Sequence, residues 1–134
     1  MTHYHYLTIE QRGRLDAEIR ARIDNLRGDI AQGLRQSGRS EAIGLANHLE
    51  ETDDAPIADL ESALEIAALE REGRELREME AARERLHTPD FGVCADCGVD
   101  IPYARLEITP GATRCVSCQS RLEHAQGATG AATL

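Results

Sequence analysis

The feature that most constrains this chain is a set of four cysteines near its C-terminal end. They form two Cys-x-x-Cys pairs, Cys94 with Cys97 and Cys115 with Cys118, and seventeen residues separate the pairs. Such a turn allows both sulfur atoms to approach one ion, because backbone N–H groups stabilise the thiolates, and Gly98 permits a tight turn. Four sulfur ligands in tetrahedral geometry select zinc and leave no position open for water. The spacing therefore predicts one structural Zn²⁺.

Other uses of these cysteines stay open at the level of sequence. A thioredoxin-like redox centre is disfavoured because no βαβ pattern surrounds either pair. Iron–sulfur clusters usually show other spacings. A degenerate module without metal is disfavoured because all four cysteines are present. Disulfides are disfavoured if the protein works in a reducing compartment.

The sequence supports neither a signal peptide nor a membrane-spanning helix. The first residues, MTHYHYLTIEQ, lack the charged region and the apolar stretch of a signal peptide. No apolar run approaches the roughly 18 residues needed to span a bilayer. We therefore expect a cytoplasmic protein without a membrane partner.

The charge of the chain argues against a nucleic-acid reader. The formal net charge is −9, and all 15 basic residues are arginines. Within 88–126, five acidic residues outnumber three arginines, and four thiolates on one Zn²⁺ add about two more negative charges. Because affinity for a phosphate backbone comes from cations that displace counterions, we expect no sequence-specific DNA binding.

Apolar residues recur at helical spacing in two long segments. The Thr8–Gln11 spacing of a capping box predicts a helix from Ile9, and Gly38 and Ser40 indicate a stop and a short further helix. The first stripe consists of Leu15, Ile19, Ile23, Leu26, Ile30 and Leu34. The second consists of Leu60, Leu64, Ala67 or Ala68, Leu76, Met79 and Leu86.

These stripes suit a narrow seam between helices rather than a thick core, because only 3% of the residues are aromatic. We predict one helix over 9–37 and one over 57–87, paired as a long antiparallel coiled coil. The expected fold is mainly α, with this helical hairpin followed by a small four-cysteine zinc finger and a short C-terminal helix.

The same patterns predict the organisation of the chain. The hairpin would occupy 1–87 and its acidic connection, or tip, about 38–56. The four-cysteine module would occupy 88–126. The small-residue segment 127–134 is predicted to be a disordered tail.

The stretch DFGVCADCGVDIPYARLEITPGATRCVSC resembles the DksA/TraR family, whose members carry a four-cysteine zinc finger after an antiparallel coiled coil. Over about 88–122 the resemblance extends to individual residues. Over 9–87 it is limited to the pattern of a helical hairpin. It implies a bacterial transcription regulator that binds RNA polymerase directly. Members insert the coiled-coil tip through the secondary channel of the polymerase toward its catalytic centre, and they do not read a DNA sequence.

The resemblance also implies which acidic residues act at the tip, where members place Asp-x-x-Asp-x-Ala. Counting back from the cysteines without gaps aligns Glu51 and Asp54 and puts Pro where members have Ala. A shift of one residue aligns Glu50 and Asp53 and keeps Ala55, and this register is preferred. The implied role is a set of carboxylates near the Mg²⁺ region of the polymerase. The simpler interpretation is that these acids only solvate a turn.

Basic residues help some members to bind the alarmone guanosine tetraphosphate at the polymerase interface. This chain has no Lys. Arg71 keeps one basic position and is the candidate polymerase or alarmone contact, whereas Glu78 and Gln119 fall where such members carry Lys. The resemblance therefore argues against alarmone dependence.

Two further hypotheses differ in class from a polymerase-binding regulator. The chain could be a coiled-coil adaptor or dimerisation module in which zinc only stabilises a small domain, whereas the regulator is expected to be a monomer. An enzyme is disfavoured, because four cysteines leave no open coordination position. The sequence also contains no Ser/His/Asp set, phosphate loop or His-Glu-x-x-His motif.

Overall fold

The structure, a computed structural model, describes residues 6–51, 63–65 and 68–133, most of which are helical. The helices are α1 (Ile9–Gln36), α2 (Ser40–Glu51), α3 (Glu70–Arg85), α4 (Tyr103–Ile108) and α5 (Val116–Thr133). Within this part of the chain, β pairing is limited to an isolated antiparallel bridge between Val93 and Asp100. The mainly α class predicted from the sequence is confirmed. None of the described helices combines the length and apolar character that a membrane crossing requires.

The chain divides into two compact units. One unit is Glu18–Ala81, and the other combines Met1–Ala17 with Ala82–Leu134. The sequence suggests a boundary between 87 and 88 instead. The difference arises because Leu7 and Leu15, from the start of the chain, are buried in one cluster with Phe91 beside the cysteines.

The start of α1 follows from a reciprocal capping box. The Gln11 N–H donates to Thr8 Oγ1 at 3.0 Å, and the Thr8 N–H donates to Gln11 Oε1 at 2.9 Å. These bonds satisfy two backbone donors that the first turn leaves free. The predicted helix start is confirmed.

The predicted stripe of α1 forms the buried face of this helix. All six of its members are buried: Leu15, Ile19, Ile23, Leu26, Ile30 and Leu34. In the unit Glu18–Ala81, α1 and α3 run antiparallel. Arg22, near the middle of α1, bonds Glu75 in α3, whereas Gly33, near the end of α1, meets Leu69 just before α3.

The short helix predicted after Ser40 is confirmed as α2. Gly38 has a φ of +74°, a left-handed conformation that ends α1 and that glycine adopts without a Cβ clash. The buried face of α2 consists of Ala42, Ala46 and Leu49. Polar contacts connect α2 with α1, since Arg35 donates to Asn47 Oδ1 at 3.0 Å and pairs with Glu50.

The prediction of one uninterrupted helix over 57–87 is wrong. Residues 63–65 are helical, but Ala68 has a φ of 58°, and α3 begins only at Glu70. The Ala68 N–H donates to Glu65 O at 3.2 Å and the Leu69 N–H to Leu64 O at 2.8 Å. This pair of bonds is a Schellman motif, which closes a helix around a left-handed residue.

The break changes which residues form the second stripe. Ala68 is exposed at the break, so its predicted place in the stripe is wrong. Leu60 and Ala67 lie outside the described residues. The remaining members are buried: Leu64, Leu76, Met79 and Leu86.

The C-terminal helix is longer than the sequence suggests. Helix α5 continues to Thr133, although 127–134 is predicted to be a disordered tail. The alanines of this segment favour a helix, although its glycines and threonines are poorer helix formers. The described helix therefore differs from the expected short one.

Candidate metal centre

The first Cys-x-x-Cys pair lies in a short hairpin-like loop. The Cys94 N–H donates to Val99 O at 2.8 Å, and the Ile101 N–H donates to Gly92 O at 2.7 Å. Gly98 has a φ of +78°, and its N–H closes the turn on Cys94 O at 3.0 Å. The tight turn predicted at Gly98 is confirmed, because a side chain would strain this conformation.

The second pair lies at the N-terminus of α5. The Gln119 N–H donates to Cys115 O at 2.9 Å, so Cys115 precedes the first turn and Cys118 lies within it. The first N–H groups of a helix carry partial positive charge, which stabilises nearby thiolates. This position therefore suits two thiolate ligands.

Two contacts hold the cysteine loops together. The Ala95 N–H donates to Thr113 O at 2.8 Å. Arg114 Nε donates to Asp96 Oδ2 at 2.8 Å, and both side chains are partly exposed. The backbone bond fixes the distance between the loops, whereas the exposed ion pair contributes at most about 1 kcal/mol.

The four sulfur atoms lie within 4.8 Å of one another. Cys97 Sγ and Cys115 Sγ are 3.8 Å apart, which is far beyond the roughly 2.05 Å of a disulfide. A tetrahedron with Zn–S bonds of about 2.3 Å has edges of about 3.8 Å. All four cysteines are free, with Cys94 and Cys118 buried. The arrangement fits one zinc ion and disfavours the disulfide hypothesis.

The surroundings of the sulfurs affect their protonation differently. Hydrogen bonds from the backbone of Cys97 and Cys115 lower the pKa of Cys94 to about 6. Burial, together with the neighbouring cysteine thiols, raises the pKa of Cys118 to about 12. A zinc ion supplies positive charge that favours the thiolate form of all four, so the site is matched to a cation.

The metal in such a centre has a structural role. Four cysteine ligands complete a tetrahedral shell, so neither water nor a substrate could enter it. Zinc would instead hold the loop of Cys94 and the start of α5 in one arrangement. A module of this size buries little apolar surface of its own, and the metal would compensate for that.

The cluster beneath the cysteines includes residues that sequence reasoning missed. It consists of Leu7, Leu15, Leu86, Phe91, Cys94, Ile101, Leu106 and Cys118. The Tyr6 hydroxyl donates a hydrogen bond to the Ile101 carbonyl oxygen. Residues 1–7 read as a polar lead in the sequence. The available signal was the apolar pair Tyr6–Leu7 directly before the Thr8 cap.

The predicted tip residues are placed only in part. Glu50 is paired with Arg35, and Glu51 is exposed at the end of α2. Asp53, Asp54 and Ala55 lie outside the described residues. Arg71 is exposed in the first turn of α3. The structure thus brings the four cysteines together and does not test the roles of the tip residues or of Arg71.

A mainly helical chain with four convergent cysteines defines a small zinc-finger protein of the four-cysteine class. Residues 89–124 match the family model of the prokaryotic dksA/traR C4-type zinc finger. The chain belongs to the DksA/TraR family.

Similar proteins include two relatives named RNA polymerase-binding transcription factor DksA. The protein from Haemophilus influenzae is 36% identical over 70 residues, which are 52% of this chain and 48% of that protein. The protein from Salmonella typhimurium is 28% identical over 101 residues, which are 70% and 67% of the two chains. The chain thus spans about half of the first relative and two thirds of the second.

A solved structure extends the similarity beyond the finger. Transcription factor DksA2 from Pseudomonas aeruginosa aligns with a TM-score of 0.63 and 26% identity. The alignment covers 90% of this chain and 89% of that chain. The helical hairpin followed by a zinc finger, predicted from the sequence, is therefore confirmed as the fold class.

Proposed function

We propose that this chain is a cytoplasmic transcription regulator that binds bacterial RNA polymerase directly, with its helical tip in the secondary channel and one structural zinc in the finger. The observation that carries the proposal is the extent of the similarity to DksA2. It includes the helices as well as the finger, covering 90% of this chain. A protein that shared only the zinc finger would match over 89–124 alone.

The charge and the closed metal centre support the same function. A chain with a net charge of −9 is poorly suited to hold a phosphate backbone, and a factor that contacts the polymerase does not need to. Four cysteine ligands leave no open position for catalysis, which favours a binding protein over an enzyme.

The acidic residues at the end of α2 and directly after it are the proposed effectors at the tip. Glu51 is exposed and has no partner among the described residues, whereas Glu50 is paired with Arg35. If the register with Glu50 and Asp53 is correct, Glu50 must leave Arg35 to act on the polymerase. Comparing Glu50→Gln with Glu51→Gln in a transcription assay tests the register, since the larger loss of regulation identifies the motif position.

The decisive experiment is binding of the zinc-loaded protein to purified bacterial RNA polymerase. A known secondary-channel protein serves as competitor. Saturable binding that the competitor displaces supports the proposal. Binding that the competitor leaves intact would contradict the secondary-channel site but keep the polymerase as partner.

An absence of binding at micromolar concentration would favour the adaptor hypothesis. In that case the helices should mediate self-association, which sedimentation at the same concentration measures. A monomer that binds polymerase favours the regulator. Salt-dependent DNA binding would instead favour the nucleic-acid reader, which the charge disfavours.

A further inference from the structure

A cavity of about 360 Å³ lies in the unit that holds the cysteines, next to the first Cys-x-x-Cys loop. Its lining comes from the last turn of α3 and from two loops of the finger, and consists of Arg85, Asp90, Gly92, Val93, Cys94, Ala95, Ala112 and Thr113. The volume is within the range of small-molecule sites, roughly 300–1,000 Å³. None of the hypotheses about polymerase binding uses this cavity.

Arg85 gives the cavity an unsatisfied positive group. Its Nη2 atom is buried and has no hydrogen-bond partner in the described part of the chain. The guanidinium makes no ion pair there either. Burial lowers the pKa of Arg85 from its usual value, because water solvates the charge poorly at this position. A buried guanidinium nitrogen without a hydrogen-bond partner among the described residues is unfavourable on a half-buried cation, so an anionic oxygen that reached it would be bound favourably.

The end of α3 is closed at the Arg85 carbonyl oxygen, and the Arg85 side chain takes no part in these bonds. The Arg85 carbonyl oxygen accepts bonds from the Thr88 N–H and the Thr88 hydroxyl, both at 2.8 Å. One bond comes from the backbone of Thr88 and the other from its hydroxyl. The Nη2 atom of the guanidinium has no hydrogen-bond partner in the described part of the chain, and its planar donors match a carboxylate bidentately.

Negative charge around the cavity limits the negative charge that a bound ligand can carry. The exposed side chain of Asp90 lines it without an ion pair to Arg85 in the described residues. Cys94 also lines it, and four thiolates with one Zn²⁺ carry about two net negative charges. A doubly charged phosphate would be repelled more strongly than a singly charged carboxylate.

We propose that this cavity binds a small organic monocarboxylate, whose two oxygens accept hydrogen bonds from Arg85. Asp90 favours a ligand that also carries a hydrogen-bond donor at a distance from the carboxylate. The bound ligand contacts the Cys94 loop and thereby links the zinc finger to a soluble metabolite. The unbonded Nη2 atom of Arg85 defines this site, and ligand binding there does not depend on polymerase binding.

The test is an NMR titration of the full zinc-loaded chain with sodium acetate, with glycine and with inorganic phosphate, at constant ionic strength. Saturable shifts confined to the amides of 92–95 and 112–113 are expected with acetate and glycine. Phosphate should bind more weakly. Arg85→Gln should weaken acetate binding at least about tenfold, because it removes charged hydrogen bonds.

Arg83→Gln is the matched control, since Arg83 lies in the same helical turn, is also half-buried and does not line the cavity. It should leave the titration unchanged. Asp90→Asn should bring phosphate affinity closer to that of acetate. Shifts that persist in Arg85→Gln, or no saturable shift in the native chain, would overturn the proposal. Phosphate that binds more tightly than acetate would overturn the choice of a monocarboxylate.

A second readout separates ligand binding from a structural role. Because the Nη2 atom of Arg85 is buried without a hydrogen-bond partner in the described residues, Arg85→Gln should raise the melting temperature of the ligand-free protein or leave it unchanged. A marked fall in melting temperature would show that the guanidinium stabilises the fold, and would contradict the proposal.

Discussion

The side chain of Leu69 fills the space that a methyl group on Gly33 would need. Its Cδ1 and Cδ2 atoms lie 2.7 and 2.9 Å from the position that a Cβ of residue 33 would take, and its Cγ lies at 3.3 Å. Both branches of the leucine and its branching carbon are thus involved, so rotation of one methyl group cannot relieve the contact. The glycine therefore permits the close packing of Leu69, just before α3, against α1.

Gly33→Ala should destabilise the protein by about 1 kcal/mol. Overpacking costs about 1–3 kcal/mol, and the better helix propensity of alanine offsets about 1 kcal/mol of that. Gly28→Ala is the control, because a Cβ there meets nothing within 4 Å. It should stabilise the same helix by about 0.5–1 kcal/mol. Urea unfolding of both variants measures the difference, and equal stabilisation would contradict the packing of Leu69.

Arg27 is a buried arginine that connects three helices of the unit Glu18–Ala81. Its Nη1 donates to Leu49 O in α2 at 3.1 Å, and its Nη2 donates to Glu80 in α3 at 3.0 Å. Arg27→Gln should cost about 2 kcal/mol, since it removes two hydrogen bonds of a charged donor. Denaturant unfolding followed by circular dichroism measures this loss.

Arg22→Gln is the control for Arg27. Arg22 pairs with Glu75 at a similar distance of 3.0 Å, but its side chain is 53% exposed against 9% for Arg27. Water screens the exposed pair, so this variant should lose less than about 0.5 kcal/mol. Similar losses in the two variants would show that burial does not strengthen the Arg27 contacts.

Ionisation of Tyr6 should lower the stability of the unit that holds the zinc finger at alkaline pH. Burial and then Asp100 raise its pKa from 10.0 to about 12, and Arg12 lowers it in part. The pKa of Tyr6 is higher in the folded state than in the unfolded state. Its contribution to the free energy of unfolding is therefore complete below pH 10 and is lost as the pH rises toward 12. Melting of the zinc-loaded protein between pH 9 and 12 should show the fall.

Tyr6→Phe should remove most of that pH dependence and cost about 1 kcal/mol at neutral pH, because the bond to Ile101 O is lost. Tyr103→Phe is the control, since Tyr103 packs against the same cluster and its hydroxyl has no described partner. If both variants have the native pH profile, the stability change has another origin than Tyr6.

Zinc removal should unfold the finger and leave much of the unit Glu18–Ala81 folded. Cys97→Ser deletes one ligand of a module with little core, so residues 90–122 should lose their fixed structure. Helicity from Glu18–Ala81 should remain in circular dichroism. Ser117→Ala, between Cys115 and Cys118, should retain one zinc per chain in a chelator-release assay. Unchanged spectra and melting after chelation would argue against a structural metal.

The tip acids remain a prediction that transcription assays can test. Asp53→Asn combined with Asp54→Asn should leave folding and polymerase binding largely intact and abolish the effect on promoters. Asp24→Asn with Asp29→Asn changes the charge equally at exposed positions of α1 and should leave regulation unchanged. Regulation retained by the tip variant would remove the tip from the mechanism.

Local patterns in the sequence account for a large part of the fold. The stripe from Leu15 to Leu34 was predictable because a helix repeats every 3.6 residues, and the Thr8–Gln11 box because its bonds span three residues. The cysteine spacing predicted the zinc site, since each pair needs only one turn of backbone to converge.

The break at Ala68 was not predictable from the same reasoning. Ala68 is a good helix former, and alanine rarely takes a positive φ. The turn is stabilised by apolar contacts that it permits, with Leu69 against Gly33 and Leu64 against Gly73. Helical periodicity continues across the break in the sequence and so concealed it.

The sequence by itself determined the elements whose causes lie within a few residues: the capped start of α1, its apolar stripe and the two cysteine turns. Only the tertiary structure decided that Tyr6 and Leu7 belong with the finger, because Tyr6 and Ile101 are 95 residues apart in the chain. It also decided that Nη2 of Arg85 is buried without a hydrogen-bond partner among the described residues. Such relationships depend on which distant surfaces meet, and no local spacing encodes that.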